Sequence, residues 1–390
     1  MKMRFAALAG VLMATALIVG APAARLTAAP APALPERLTD GEFWALSAQL
    51  SETAGYFRSE NLVSNETMFQ WPIPDLKKTV TPGSVYMGVA PDQNFTYMIA
   101  VKPRIAFIVD IRRGNLLQHL LYKALFELSA TRADFLSKLF SMPAFKGVNE
   151  NSTPRALFDA AYRETADQKL FEANTKAVLD LLTAKHGFKL SEDDESGLTW
   201  IYSCFFKYGP DLTYQACESG GTGFGGGRGF GRGFGGGMMF RSFADLQTQT
   251  DAANVNHAYL ASEANYRWIK DFESRNLIVP VMGDFMGPKA IRAVGAWVRE
   301  RGAVVGTFYT SNVEQYLFQS DTWNRFYANI ASLPLDNGST LIRSVPNNMI
   351  QPAQPGARAA SMLTSMKELT AAFLAGKILG YYDVVRISRQ

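Results

Sequence analysis

The stretch SVYMGVAPDQNFTYMIAVKPRIAFIVDIRRGNLLQHLLYKALFEL, from Ser84 to Leu128, decides the fold. Ser84 to Ala90 is a short apolar run holding Val85, Tyr86, Met87 and Val89, and Pro91 with Asp92 closes it, so it reads as a buried strand followed by a turn. A helix is predicted next, capped by Asp92 or Asn94, apolar along Phe95, Met98, Ile99 and Val101, and ended by Lys102 and Pro103. Ile105 to Ile111 is a second buried strand, with Asp110 near its carboxyl end. A strand, a short helix and a strand in so few residues form a βαβ unit, whose strands are parallel and whose crossover is right-handed.

Such a unit offers nucleotide-binding chemistry. Ligands sit outside the carboxyl ends of the strands, where a helix N-terminus presents free N–H groups and an acidic residue after the second strand holds a ribose hydroxyl. Asp110 stands 22 residues after Gly88, near the spacing that role requires. GVAPDQN, however, carries one glycine where a dinucleotide fold shows GxGxxG, so close backbone approach to a pyrophosphate is not supported. A cofactor without a pyrophosphate, such as S-adenosylmethionine, fits the turn better. In the competing, purely structural role, Asp110 pairs with Arg112 or Arg113 at the strand end.

A second unit of the same kind lies downstream. NLIVPVMGDF, from Asn276 to Phe285, is a third buried strand ending in Gly283 and Asp284; Ala290 to Arg301 is a helix stopped by Gly302; AVVGTFYT, from Ala303 to Thr310, is a fourth strand. That strand carries Tyr309 and delivers Ser311, Asn312 and Glu314 to the same edge as Asp110. Thr340 to Val345 and Asp383 to Ile387 are read as two further strands, which makes a doubly wound, mostly parallel α/β sheet. Between the second and third strands the pattern is helical, from about residue 130 to 275, with a helix near Asn254 to Arg275; this insertion is placed over the ligand edge. Upstream, residues 34–80 form a helical and irregular cap. Its polar cluster FRSENLVSNE brings Arg58, Glu60, Asn61, Asn65 and Glu66 forward as substrate-binding candidates, although caps and turns use the same residue types.

The ends of the chain and its composition bound the function class. Lys2 and Arg4 precede an apolar run from Phe5 to Val19, and Ala21-Pro22-Ala23 and Ala31-Pro32-Ala33 supply small-residue exits, so residues 1–33 read as a signal peptide and the protein as exported, periplasmic or secreted. The competing reading is an uncleaved N-terminal anchor. No later stretch is apolar and long enough to span a membrane. A net charge of +4 over 390 residues makes no demand for nucleic acid, and the run SGGTGFGGGRGFGRGFGGG at 219–237 reads as a flexible surface loop. The two cysteines, Cys204 and Cys217, can pair in an oxidising compartment, and with three scattered histidines they supply no metal site. No GxSxG elbow is present.

YMGVAPDQNFTYMIAVKPRIAFIVDIRRGN, NLIVPVMGDFMGPKAIRAVG and FYTSNVEQYL, together with FRSENLVSNE, resemble a family of uncharacterised bacterial proteins related to the Rossmann-fold S-adenosylmethionine-dependent methyltransferases. The resemblance runs from about residue 50 to 345. It implies that residues 81–390 form a Rossmann-like domain. It also implies that Gly88, Asp92, Gln93 and Asn94 form the cofactor loop, that Asp110 with Arg112 holds the ribose, and that Asp284, Tyr309 and Asn312 stand by the transferred group. The chain departs from the methyltransferase pattern in lacking multiple loop glycines and an Asn-Pro-Pro-Tyr motif after Asp284. Two readings follow: a transferase using an adenosyl cofactor, or a non-catalytic exported protein that binds a small ligand in the same pocket.

Overall fold

A computed structural model describes residues 33–57, 59–217, 240–351, 353 and 358–389. Almost all of the predicted leader, the glycine-rich run and Arg58 lie outside the described residues.

Six strands form one sheet: β1 Val85–Gly88, β2 Ile105–Asp110, β3 Ile278–Met282, β4 Val305–Ser311, β5 Thr340–Pro346 and β6 Ala359–Ser365. Their spatial order is β3-β2-β1-β4-β5-β6. All neighbours run parallel except β5 and β6, which are antiparallel. The order therefore reverses between β1 and β4, the place where loops from the two halves of a parallel sheet part and leave a crevice. β1 and β2 are buried at every position, as strands covered on both faces must be, which explains the unbroken apolar runs VYM and IAFIV.

The insertion between β2 and β3 is helical among the described residues. Its inner helix, Arg113–Leu128, is buried without a break from Asn115 to Phe126. The segment expected to be helical from Asn254 begins its helix only at Glu263, because Ser262 caps it by accepting from the Asn265 N–H, while Asp251 and Asn256 hold the preceding chain in turns.

Two further expectations are corrected. Asp383 to Ile387 is not a strand: the helix Tyr381–Arg386 forms there, its start fixed by Asp383 Oδ2 accepting from the Leu379 and Gly380 N–H groups. The sixth strand is Ala359–Ser365 instead, and Arg389 pairs with its Leu363. Neither Asp92 nor Asn94 caps the helix Gln93–Val101 with its side chain. Asn94 Nδ2 donates back to the carbonyls of Val89, Ala90 and Pro91, and Asp92 accepts from Gln247.

The N-terminal segment carries the wall of the site. Helix Asp40–Leu50, opened by a reciprocal Thr39–Glu42 capping box, packs on β3, where Ser47 Oγ donates to the Pro280 carbonyl at 2.5 Å. The chain then crosses the carboxyl edge of the sheet. Glu52 N–H bonds Met282 O at the end of β3, Gly55 N–H bonds Ile111 O just beyond β2, and Glu66 reaches the end of β4. Among the described residues no helix is long and apolar enough to cross a membrane.

Candidate functional site

The turns at the reversal point are built against resistance. Ala90 after β1 has φ 66°, Ser311 at the end of β4 has φ 52°, and Asn61 on the crossing segment has φ 50°. Left-handed backbone costs most residues with a Cβ roughly 1–2 kcal/mol, asparagine less, so Ala90 and Ser311 above all must be held by their surroundings. Ala90 is held by the Asn94 amide and by His119, whose Nε2 lies 3.0 Å from the Ala90 carbonyl oxygen. Burial keeps the His119 imidazole neutral, pulling its pKa down to about 4. Gly88 makes the turn possible for a steric reason: a Cβ there would sit 1.9 Å from Asn94 Oδ1, which accepts from the Tyr86 hydroxyl at 2.8 Å.

All three left-handed residues face one cavity of about 230 Å³. Phe57, Val89, Ile111, Phe285, Met286 and Leu317 give it mainly apolar walls, and Asn61, Asp110, Arg112, Asp284, Ser311, Asn312 and Ser320 supply its polar groups. From the helix that follows β4, Val313, Tyr316, Leu317 and Ser320 all line it, the spacing of one helix face. Phe57 and Tyr316, both lining the cavity, meet edge to face with ring centroids 5.3 Å apart.

Asp110 is committed within the protein. Its Oδ1 accepts from the Arg112 backbone N–H at 2.9 Å and from Nε at 3.0 Å, and its Oδ2 accepts from Nη2 at 2.8 Å. Both side chains are only 6% exposed. Arg112 also donates to the Ser59 carbonyl, at 3.4 Å. Asp284 follows β3, and the loop that carries it reaches the cavity shared with the end of β4, where Phe285 packs on Phe308 with ring centroids 5.3 Å apart. Asp284 Oδ1 accepts from the Met286 N–H. Asn312 lies one residue beyond Ser311 and lines the cavity.

Behind the β4 wall lies a buried carboxylate. Glu66 Oε1 accepts from the Ser311 hydroxyl at 2.5 Å and from the Tyr309 hydroxyl at 2.8 Å, and Oε2 accepts from Ser361 at 3.3 Å. Gln93 Nε2 in turn donates to Tyr309 at 2.7 Å. Burial pushes the Glu66 carboxyl above its ordinary range, and the three hydroxyls partly oppose that rise. Asp92 is buried on the other side of the β1 turn, where lost hydration pushes it up to about 7 against hydrogen bonds from Tyr259 and Gln247.

The structure thus brings Asn61, Asp110, Arg112, Asp284, Ser311 and Asn312 to one cavity, with Glu66, Gln93 and Tyr309 directly behind it. Gly88, Asp92 and Asn94 shape the β1 turn without lining the cavity. Glu60 packs beside Gly114 at the start of the inner helix. Asn65 is partly buried and does not line the cavity. Glu314 is turned inward: it pairs with fully buried Arg343 at 2.8 Å and accepts from Tyr327, tying β5 to the helix after β4. Sequence reading missed Phe57, Ala90, Phe285 and Tyr316. The recurrence of Val313, Tyr316, Leu317 and Ser320 was a visible signal, and no local signal marked Ala90. Among the described residues no group of three or more His, Cys, Asp or Glu is placed to hold a metal ion.

No curated protein matches the chain. A family model does, over residues 61–203 and 238–381, segments that contain all six strands and every cavity residue except Phe57. The chain belongs to the family of the DUF7790 domain, a domain of unknown function.

Proposed function

We propose that this chain is an exported protein with a methyltransferase-like Rossmann sheet that binds a small nucleoside-like ligand in the cavity between β1 and β4. The observation that carries this reading is the convergence of three left-handed, non-glycine residues, Asn61, Ala90 and Ser311, on one cavity at the reversal of strand order. Strain of that kind collects where a fold must present groups to a ligand. Aromatic Phe57, Phe285 and Tyr316 offer faces for a base, while Asp284 and Asn312 offer polar partners for its edge. The cavity, about 230 Å³, is smaller than the roughly 300–1,000 Å³ of pockets for drug-sized ligands, which favours a small ligand over a dinucleotide. The Cys204–Cys217 disulfide, with Cα atoms 5.9 Å apart, supports an oxidising compartment.

The residues do not fit S-adenosylmethionine in the manner the resemblance implies. The carboxylate expected to hold the ribose already accepts three hydrogen bonds from Arg112, and the space beside Gly88 is taken by Asn94 instead of standing open to a cofactor. Binding without methyl transfer is therefore the preferred reading, and no step is derived through a sulfonium donor. The test is a thermal-shift panel of nucleosides, adenosyl compounds including S-adenosylmethionine, and cell-envelope metabolites. A true ligand at a hundredfold excess over its Kd stabilises by roughly 3 kcal/mol. A panel in which no nucleoside-containing compound raises the Tm at millimolar concentration refutes the reading.

A further inference from the structure

The end of β4 is a strained strand-to-helix turn that carries a serine. Ser311 is the last residue of a buried strand, has φ 52°, and is followed after one residue by the helix Val313–Gln319. A serine on a strained strand-to-helix turn presents its hydroxyl to the space above the sheet, which is what the GxSxG elbow achieves. Here the flanking positions are Tyr309 and Val313 in place of glycines. A bulge supplies the bend: β4 pairs with β5 through Tyr309 and Ser311 and skips Thr310. Ser311 is partly exposed, lines the cavity, and holds its hydroxyl 2.5 Å from Glu66 Oε1. Glycine would adopt this backbone without strain, whereas here the left-handed position carries a hydroxyl.

We propose that Ser311 is a covalent nucleophile toward esters or thioesters bound in the cavity, with Glu66 as the base that accepts its proton. The step balances within the site. Ser311 Oγ bonds to the acyl carbon as its proton passes to Glu66 Oε1; the carbon–leaving-group bond breaks, and Glu66 returns the proton to the departing oxygen or sulfur. Water then enters, gives its proton to Glu66, and releases the acid and free Ser311 by the reverse course. Asn61 and Asn312, whose residues line the same cavity, supply side-chain amide donors for the oxyanion. Glu66 is itself fixed by Tyr309, which Gln93 orients, and by Ser361. A desolvated carboxylate is a stronger base than an exposed one, and burial raises Glu66. This proposal rests on the cavity being the ligand site and not on the ligand being nucleoside-like.

The experiment exposes the full chain to a fluorophosphonate, in which Ser311 Oγ displaces fluoride from phosphorus, and maps the adduct by peptide mass spectrometry across a pH series. The expected result is one phosphonylated residue, Ser311, absent in both Ser311→Ala and Ser311→Gly; the glycine variant suits the left-handed backbone and keeps the test meaningful should alanine fail to fold. Glu66→Gln, shown to be folded by its melting curve, should label about a hundredfold more slowly or worse, the lower range for losing a general base. It should also lose the fall in rate at low pH that protonation of Glu66 causes. An unlabelled Ser311 in folded protein, or labelling of Glu66→Gln at the wild-type rate with the wild-type pH profile, overturns the proposal. A thermal shift without an adduct rejects the nucleophile and keeps the ligand site, whereas an adduct without any nucleoside shift keeps the nucleophile and rejects the nucleoside reading.

Discussion

Replacing Asp110 by alanine should destabilise the fold before it says anything about a ligand. The substitution removes the partner of a guanidinium whose Nε and Nη2 both donate to Asp110, leaving Arg112 buried with only the 3.4 Å bond from Nη1 to Ser59 O and the nearby Glu60 charge. Breaking a buried pair by deleting one member costs about 3–5 kcal/mol, because the other charge stays buried. At about 2 °C per kcal/mol for a large domain, the Tm should fall on the order of 6–10 °C. Asp110→Asn keeps an acceptor and the shape, and should cost about 1–3 kcal/mol. The double variant Asp110→Ala/Arg112→Met removes both charges and should recover most of the loss, since well-packed apolar replacements of buried pairs are often neutral. Scanning calorimetry with urea titrations at neutral pH measures all three. A loss below about 1 kcal/mol in Asp110→Ala, or a double variant no more stable than the single one, would refute the reasoning and free Asp110 for a ligand.

Three other outcomes are expected. Gly88→Ala places a Cβ 1.9 Å from Asn94 Oδ1 and 2.8 Å from the Tyr86 ring, and should cost about 1–3 kcal/mol by urea midpoint, with slower or weaker binding of any cavity ligand. His186 bridges Asp40 and Glu127, each at 3.0 Å, with Lys123 and Lys185 also on Glu127, and hydrogen bonding to Glu127 raises its pKa despite burial. Because the folded value lies above the unfolded one, near 6.5, the stability it contributes is complete below about pH 6.5 and fades as pH rises through the folded value. Urea midpoints between pH 5.5 and 9 should show that decline in the wild type, and His186→Gln should flatten it. Paired Cys204→Ser/Cys217→Ser removes a disulfide closing a 13-residue separation and should cost about 3 kcal/mol under oxidising conditions, and nothing in reductant.

Much of the frame was legible because buried parallel strands declare themselves. Val85–Gly88, Ile105–Asp110, Ile278–Met282 and Val305–Ser311 are apolar runs bounded by glycine, proline or charge, and the loops after them carry Asp284 and Asn312, which line the cavity. The sixth strand was not legible. AASMLTS has only one β-branched residue, whereas DVVRI has three, yet Asp383 can cap a helix through nearby N–H groups and so decides the outcome. Glu314 looked like a site residue because its partner Arg343 lies 29 positions away on β5, and long-range ion pairs leave no trace in local sequence. Glu66 and Ser311 were both singled out, but their pairing depends on a segment crossing the sheet edge from position 51 to 66. The sign of φ at Ala90 and Ser311 is equally silent, since neither residue type favours the left-handed region.

The most direct test of the ligand site is calorimetric titration of the strongest stabiliser from the nucleoside panel into the wild type and into Asn312→Trp, whose indole would fill the cavity between β1 and β4. Saturable heat with the wild type and none with Asn312→Trp, at unchanged Tm of the free proteins, is the predicted result. Equal affinity for both proteins would place the ligand elsewhere and contradict the account.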